Sequence, residues 1–434
     1  PSSFSSIFSS ILPFLNGGYS PMPSHKLTFP QILKENNIST YGIHSNPNLG
    51  EFFHYDRGFD VFLDGERYKI GKSHSNNMGF KQHVSFTIRK IVNFRNLFKS
   101  LIYRLYGFNK IKDFLRKKFP LITELLLLFT PIAYNAPYIV NKIESYLREG
   151  KSKIFFWAHF MDLHSPYNPP SENIIKFRQH DFAPREKEFL NKNIYSNPSK
   201  YRITQEIFND FNILYDAQIN FLDEYLGHLF KIIKRNFRNN CLIIITADHG
   251  EALLKHGSTG HQGSIHDDLL KIPLFIIETG KKSSLKKIEA VVEGLDISCT
   301  ILNYFDIEIP ETYQGRSLIP LINGDKFKEK NFIISECYQK NGLLKRNNNE
   351  GYKLISIKKD NFKFVFNEEN DTEFLFDIKS DPQEIKNLIK IYPSKANKFR
   401  EIKNQHLINI LESTSEKSKI IKAIPALNLK KIKL

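Results

Sequence analysis

Apolar runs alternate with stretches of helical periodicity along much of the chain. Residues 38–44 predict a buried strand, and unbroken apolar runs that end in polar residues predict two more at residues 154–159 and 241–246. A short helix is predicted from Phe29, and residues 211–234 carry apolar side chains at the spacing of a helix that crosses a sheet. This alternation predicts an α/β fold with a central, mostly parallel sheet flanked by helices, the strands lying in its buried middle.

The pattern changes near residue 330. Two strands of a hairpin are predicted at residues 352–357 and 361–366, which indicates a small antiparallel C-terminal subdomain. We therefore expect a main α/β domain over residues 1–330, a small α+β subdomain over 331–410 and a basic tail over 411–434.

A basic helical insertion is predicted at about residues 85–135 of the main domain. Between residues 89 and 119, ten Lys or Arg and one acidic residue alternate with apolar side chains at near-helical spacing. This stretch could make peripheral contact with an anionic membrane, or it could be a solvated helix that covers the sheet. We favour the solvated helix, since charge runs usually mark solvated faces. The apolar run at 125–134 is shorter than the roughly 20 residues of a membrane-spanning helix.

Charge and cysteine content narrow the classes of partner. The chain of 434 residues carries 62 Lys and Arg against 46 Asp and Glu, a formal net charge of +16 that favours anionic substrates or surfaces. No compact basic block dominates, so we expect no nucleic-acid partner. The three cysteines form no CxxC pair and read as ordinary buried thiols, which mildly favours a cytoplasmic location. The sequence starts at Pro1 without a signal-peptide pattern, and localisation and oligomeric state stay open.

The strongest chemical signal follows the third predicted strand. Residues 246–251 read TADHGE, so Asp248 and His249 lie at the carboxyl end of a strand, where ligands collect in open α/β sheets. An adjacent carboxylate and imidazole, followed by a glycine that allows a close turn, suit a divalent cation. Such a pair alone is more often a surface turn, and its neighbours decide between the two readings.

Those neighbours resemble the sulfatase branch of the alkaline phosphatase superfamily. After TADHGE come a His-Gly pair at His256, a Gly-His pair at His261 and a strand that begins with an apolar-Pro-apolar step, as in that family's signature. Residues 159–170, HFMDLHSPYNPP, resemble the family's strand-end motif that places a histidine, here His164, near the substrate anion. Further similar segments extend over nearly the whole chain, at residues 29–60, 215–223, 296–303, 315–318 and 375–388.

The resemblance implies an alkaline-phosphatase-like fold and a role for each of these residues. Asp248 and His249 would bind one divalent cation, with calcium expected first and magnesium, manganese or zinc as alternatives. His164 and His261 would be catalytic and would bind the substrate anion, and His261 stands where many relatives carry a lysine. His256 would bind substrate or, as an alternative, would structure its loop. Asn46 stands near family lysine and histidine residues that bind the anion, but it is uncharged.

The same resemblance places the nucleophile one residue before Pro1, together with two further carboxylate ligands upstream, so the chain as given is expected to be inactive. Ser2 and Phe4 stand where the C-x-P-S-R motif has Pro and Arg, which disfavours a formylglycine nucleophile and allows an unmodified Ser or Thr. Ser2 or Ser3 as the nucleophile fits the downstream spacing less well.

Three functions are compatible with these features. The first is metal-dependent hydrolysis of a sulfate or phosphate ester, which proceeds by in-line attack on sulfur or phosphorus. The second is transfer of a phosphoethanolamine or phosphoglycerol group to a glycan or lipid. The third is a catalytically inactive relative that binds an anionic glycan through its positive surface.

Overall fold

The computed structural model describes most of the chain. The basic stretch 89–119 lies outside the described residues, as does the predicted insertion except for residue 135. The described residues are 2–16, 21–64, 135–237, 240–261, 263–280, 286–340 and 351–428.

Helices and strands alternate through the described residues. The helices are α1 Ser2–Ser9, α2 Phe29–Glu35, α3 Ala136–Leu147, α4 Ser171–Ile174, α5 Pro184–Glu188, α6 Gln205–Phe237, α7 Asp267–Leu270, α8 Asp296–Tyr304, α9 Ile319–Asn323 and α10 Pro393–Asn428. The strands are β1 Ser39–His44, β2 Val61–Asp64, β3 Ile154–Ala158, β4 Leu242–Thr246, β5 Ala252–Leu253, β6 Thr259–Gly260, β7 Leu274–Glu278, β8 Ile333–Lys340, β9 Gly351–Lys359, β10 Phe362–Asn367 and β11 Thr372–Asp377. Short 3-10 turns cover Pro13–Asn16, Pro47–Leu49, Glu51–Phe53, Pro198–Lys200 and Lys255–Gly257, and a π-helical turn covers Phe189–Ile194.

A parallel sheet of order β2-β1-β3 confirms two of the predicted strands. Tyr41 of β1 pairs with Val61 on one side and with Phe156 on the other. Tyr41 and Ile43 are fully buried, as expected for the middle strand of a parallel sheet covered on both faces. The predicted helix 211–234 lies within α6, which packs with α3 around a cluster that includes Ile43.

The third predicted strand differs from the expectation. β4 pairs antiparallel with β7, Ile244 opposite Ile276, and its residues are half-buried, whereas the sequence predicted the buried middle of a parallel sheet. Between the two strands the chain reverses through β5, β6 and α7. An unbroken apolar run predicts burial but carries no information about the direction of the neighbouring strand, so the sequence could not decide this pairing.

Helix α1 lies in the main core. Phe8 is buried, with its ring edge-on to Phe29 of α2 and to Trp157 of β3, at centroid distances of 5.4 Å and 5.0 Å. Ile244 of β4 packs against the same cluster, which also includes buried residues of α8. The apolar side chains of α1 therefore fix its position relative to both β3 and β4.

The C-terminal residues form an antiparallel sheet of order β11-β10-β9-β8. The predicted hairpin is present as β9 and β10, and the ring of Phe364 stacks on that of Phe399 from α10 at 5.8 Å. α10 runs through the predicted limit at residue 410, and the division into domains stays a prediction. Within the described part of the chain, no helix combines the length and apolar character needed to cross a membrane.

None of the three cysteines, all of which lie in the described part of the chain, forms a disulfide bond. Cys299 is buried, as predicted, whereas Cys241 and Cys337 are only half-buried. Cys241 lies just before β4, and Cys337 lies within β8.

A buried ion network joins the C-terminal sheet to the segment around α7. The fully buried Nζ of Lys363 donates to Ile265 O at 2.7 Å, Asp267 Oδ1 at 2.9 Å and Glu384 Oε1 at 2.8 Å. Glu384 also accepts from the backbone N–H of Asp267 at 2.7 Å, and its other oxygen lies 3.2 Å from His266 Nδ1. Removing one member would leave buried charges without their partners, which is costly.

This network makes stability depend on pH. Burial opposes ionisation of Glu384, but the hydrogen bond with His266 and the charge of Lys363 outweigh it and lower the pKa to about 2. The carboxylate therefore contributes stability above the unfolded pKa of about 4.5, and this contribution is lost as the pH falls towards 2. We predict that Glu384→Gln lowers the free energy of unfolding at pH 7 by roughly 3 kcal/mol. We also predict that, between pH 5 and 2, the free energy of unfolding falls less steeply in this variant than in the unmodified protein.

Urea unfolding at several pH values measures this effect. Glu368→Gln is the matched control, because Glu368 pairs with Lys353 at the surface, where an ion pair contributes little. Equal pH profiles for the two variants would contradict the proposed contribution of the buried network.

Candidate active site

The segment after β4 turns closely against α7. The N–H of Gly250 donates to Leu269 O at 2.8 Å, and a Cβ on Gly250 would lie only 1.9 Å from Asp268 O. No other residue fits this approach without moving the backbone. Asp248 and His249 are thereby held at the carboxyl end of β4, with His249 Nε2 3.5 Å from Asp248 Oδ2.

The register of the hairpin formed by β5 and β6 determines which side chains meet. Ala252 pairs with Gly260, so the next residues outward, Glu251 and His261, lie opposite each other. His261 Nδ1 is 3.4 Å from Glu251 Oε2. His249 lies two residues before Glu251, and ligand atoms of all three residues lie within 4.8 Å of one another.

Three predicted site histidines meet here. The rings of His249 and His261 stack at a centroid distance of 4.0 Å, and the ring of His164 lies 5.5 Å from that of His261. His164 lies in the loop after β3, His249 follows β4 and His261 directly follows β6. The structure therefore brings together Asp248, His249, His261 and His164 from the ends of three strands.

His249 is suited to ligation. Burial lowers its pKa, a shift that the neighbouring charge of Asp248 opposes and that of His261 reinforces. A neutral ring has one free lone pair, and the Nδ1 of His249 lies 2.7 Å from Gly250 O. With the proton assigned to Nδ1, which donates to that carbonyl, Nε2 is free to bind a cation.

His159, the first residue of the segment HFMDLHSPYNPP, lies next to the site although it was not predicted as a site residue. Burial lowers its pKa to about 4, with Asp248 opposing the shift and His249 reinforcing it, so the imidazole stands neutral beside both residues at pH 7. Its ring contacts that of Phe4 in α1 at a centroid distance of 4.9 Å. Its position directly after an apolar strand was the available signal.

Tyr55 connects the first helix with the site. Its pKa is raised mainly by burial and also by the charge of Asp248, while hydrogen bonds with Ser5 of α1 act in the opposite direction. Through Ser5 and Phe4, α1 therefore contacts Tyr55 and His159, two residues that interact electrostatically with Asp248.

His256 and Asn46 have other neighbours in the structure. The ring of His256 stacks on His266 at 4.2 Å, and its Nε2 lies 3.7 Å from Asp268 Oδ2. These contacts favour the loop-structuring alternative for His256. The side chain of Asn46 accepts from the N–H of Asn48 at 2.9 Å and caps the turn Pro47–Leu49. A substrate contact for either residue stays a prediction.

The donor set fits a divalent cation. One carboxylate oxygen of Asp248 and Nε2 of His249 are separated by 3.5 Å, which allows both to ligate one ion through bonds of about 2.0–2.2 Å. Ligand atoms of Glu251 and His261 lie within 4.8 Å of a ring nitrogen of His249 and of each other.

Comparison with known families agrees with the fold and with the motifs. The sulfatase family profile matches residues 2–307, and the profile for the C-terminal part of N-sulphoglucosamine sulphohydrolase matches residues 261–414. The chain belongs to the sulfatase family. The resemblance inferred from the sequence motifs is therefore confirmed, and sulfatases generally depend on a divalent cation.

The curated relatives of this sulfatase-family chain are distant. An arylsulfatase of Clostridium perfringens is 26% identical over 311 residues, which cover 68% of the chain and 62% of the relative. The multifunctional alkaline phosphatase superfamily protein PehA of Trinickia caryophylli is 30% identical over 186 residues, 40% of the chain and 35% of the relative. The chain spans less than two thirds of the length of either relative.

Solved structures confirm the alkaline-phosphatase-like α/β fold. BT1596, a 2-O GAG sulfatase, matches with a TM-score of 0.63 at 14% identity over 96% of this chain and 83% of that one. The phosphonate monoester hydrolase of Agrobacterium radiobacter matches with a TM-score of 0.63 at 16% identity over 94% and 86%. At these identities the likeness concerns the fold alone.

The close turn at Gly250 gives a direct test of how this sulfatase-family chain holds its site. We predict that Gly250→Ala lowers the free energy of unfolding by at least about 2 kcal/mol, since the new methyl group would overlap Asp268 O. The comparison variant is Gly227→Ala in α6, where a Cβ meets nothing within 4 Å. Alanine there should stabilise the protein by about 0.5–1 kcal/mol.

Thermal and urea unfolding of the two variants measure the difference. Unchanged stability of Gly250→Ala would show that the segment after β4 is not held against α7.

Proposed function

We propose that this protein hydrolyses sulfate or phosphate esters at the site formed by Asp248, His249, His261 and His164. The convergence of these side chains at the ends of β3, β4 and β6 is the observation that carries the proposal. It places a carboxylate, a stack of two imidazoles and a third imidazole around one region, next to the first turns of α1.

Asp248 and His249 would hold the divalent cation that the family generally uses. When bound, such an ion supplies Lewis-acid polarisation of a sulfate or phosphate oxygen. His249 contributes through Nε2, since its Nδ1 is held by Gly250 O. In this proposal the attacking group is the residue expected just before Pro1, ahead of α1, as the resemblance to the family implies.

His164 binds the substrate anion, and His261 protonates the leaving group. Nδ1 of His164 lies 2.7 Å from Ser165 O, which orients the ring and leaves Nε2 for an oxygen of the substrate anion. Glu251 faces Nδ1 of His261 and fixes that ring, so that Nε2 can donate a proton to the departing alkoxide. Two imidazoles thus supply the donors needed where negative charge develops.

A sulfated glycan is the substrate class that we favour. The formal net charge of +16 attracts polyanions, and one structural neighbour, with a TM-score of 0.61, was solved with its substrate D-glucosamine-2-N,6-O-disulfate. The phosphonate monoester hydrolases among the neighbours keep a phosphoester substrate as the second candidate.

The intact protein, expressed from its full reading frame, tests this proposal with an aryl sulfate, a phosphate monoester and a phosphodiester, each with and without chelator. We predict that Asp248→Ala lowers kcat/KM by at least about a hundredfold, because it removes a ligand of the cation. Asp325→Ala changes an exposed carboxylate outside the site and should leave kcat/KM unchanged.

The assay distinguishes the alternatives. Turnover of Asp248→Ala at the rate of the unmodified protein would refute the metal assignment. Group transfer to a glycan or lipid acceptor without hydrolysis would favour the transferase alternative. Absence of turnover together with salt-sensitive glycan binding would favour the inactive relative.

A further inference from the structure

We propose that a groove on the C-terminal sheet is a second binding site for a sulfated glycan, separate from the candidate active site. The groove lies between the turn that joins β9 to β10 and the first turns of α10. It encloses about 540 Å³, a volume within the usual range of ligand sites. The choice of a sulfated glycan as the ligand rests on the proposed function, whereas the existence of the groove does not.

Packing of the β9–β10 hairpin on α10 forms the groove. Phe362 and Phe364 are two residues apart in β10 and therefore point to the same face of the sheet. The buried ring of Phe364 stacks on that of Phe399 with an interplanar angle of 4°, which fixes α10 against this face. Phe362 is only half-buried, and its ring lies edge-on to that of Tyr392 at a centroid distance of 5.9 Å. The walls of the groove are therefore held by buried aromatic packing.

The open wall of the groove suits the face of a sugar ring. Tyr392 is 45% exposed and its neighbour Ile391 is 55% exposed, and both line the groove. The C–H groups of a pyranose carry a small positive charge and pack against the negative face of an aromatic ring. Tyr392 adds a hydroxyl that can exchange hydrogen bonds with the hydroxyl groups of a glycan.

Lysines supply the positive charge that a sulfated ligand requires. The groove is lined by three lysines and one carboxylate, namely Lys359, Lys395, Lys398 and Asp360. Lys395 already has partners, because its Nζ lies 3.3 Å from the ring centroid of Phe362 and its charge interacts with Asp377. Lys359 and Lys398 are exposed, and neither forms an ion pair with any residue that the structure describes. These two ammonium groups are the ones available to bind sulfates.

The shape of the groove favours a glycan over an anionic membrane. Peripheral proteins bind a membrane through apolar side chains that project into the lipid. Here the aromatic rings line a concave wall, and lysines stand on either side of it. A sulfated glycan presents sugar faces and charged groups side by side along one chain, so it can contact the rings and the lysines together.

Isothermal titration with a heparin-derived hexasaccharide, and with the same hexasaccharide after chemical desulfation, tests the proposal. The intact protein carries Asp248→Ala in this experiment, so that the probe is not hydrolysed. We expect Lys359→Gln combined with Lys398→Gln to weaken binding at least about fivefold, because two ion pairs with sulfates are lost. Tyr392→Ala should weaken binding at least about threefold, and Tyr392→Phe, which keeps the ring, should retain most of the affinity. The desulfated probe should bind at least about tenfold more weakly.

A control of equal charge separates the groove from the overall positive charge of the protein. Lys200→Gln combined with Lys231→Gln removes two exposed lysines elsewhere and should change the affinity less than about twofold. Equal losses in the two double variants, or no binding of the hexasaccharide, would overturn the proposal. Groove variants that lose binding to vesicles of anionic phospholipid but keep their affinity for the hexasaccharide would also overturn it, and would assign the groove to a membrane.

Turnover distinguishes this proposal from the proposed function. With Asp248 in place, the groove variants should keep the kcat/KM of the unmodified protein for an aryl sulfate, since no groove residue belongs to the candidate active site. A protein that binds the hexasaccharide in the groove but turns over no ester would refute the proposed function alone. Unchanged hexasaccharide affinity in the groove variants would refute the second site alone, and thermal unfolding shows whether each variant folds.

Discussion

The pairing of Ala252 with Gly260 is the constraint on which the site depends. This short hairpin lies between antiparallel β4 and β7, and its register places Glu251 opposite His261. A shift by one residue would turn these side chains to opposite faces and would separate the donors. The close contact of Gly250 with α7 and the buried Lys363 network hold the two flanks of the same reversal.

Much of the fold could be predicted from the sequence, because buried positions recur along the chain with the period of a helix or a strand. The strands at residues 38–44 and 154–159, the long crossover helix and the C-terminal hairpin all follow from apolar spacing. The antiparallel pairing of β4 could not be predicted, since strand direction depends on tertiary contacts. The burial of Lys363 could not be predicted either, because a lysine in an alternating strand is expected to face solvent. Its Nζ is fully buried and is hydrogen-bonded to residues 21 to 98 positions away in the sequence.

The candidate site was predictable where residues follow a strand or match a family motif. Asp248, His249, His261 and His164 satisfy these conditions, and the structure brings them together. Glu251 was not selected because its role depends on a two-residue strand pairing that is too short to read from periodicity. His256 shows the converse, since a histidine within a motif instead stacks on His266. The positions within the motifs identify the region, whereas the backbone register decides which side chains share it.

The central claim is that the segment after β4 holds a divalent cation through Asp248 and His249, next to the imidazoles of His261 and His164. Anomalous diffraction from crystals grown with zinc, recorded at the zinc absorption edge, tests it most directly. The account predicts a peak about 2.0–2.2 Å from Nε2 of His249 and from a carboxylate oxygen of Asp248. A peak remote from both residues, or no peak in this region, would contradict it.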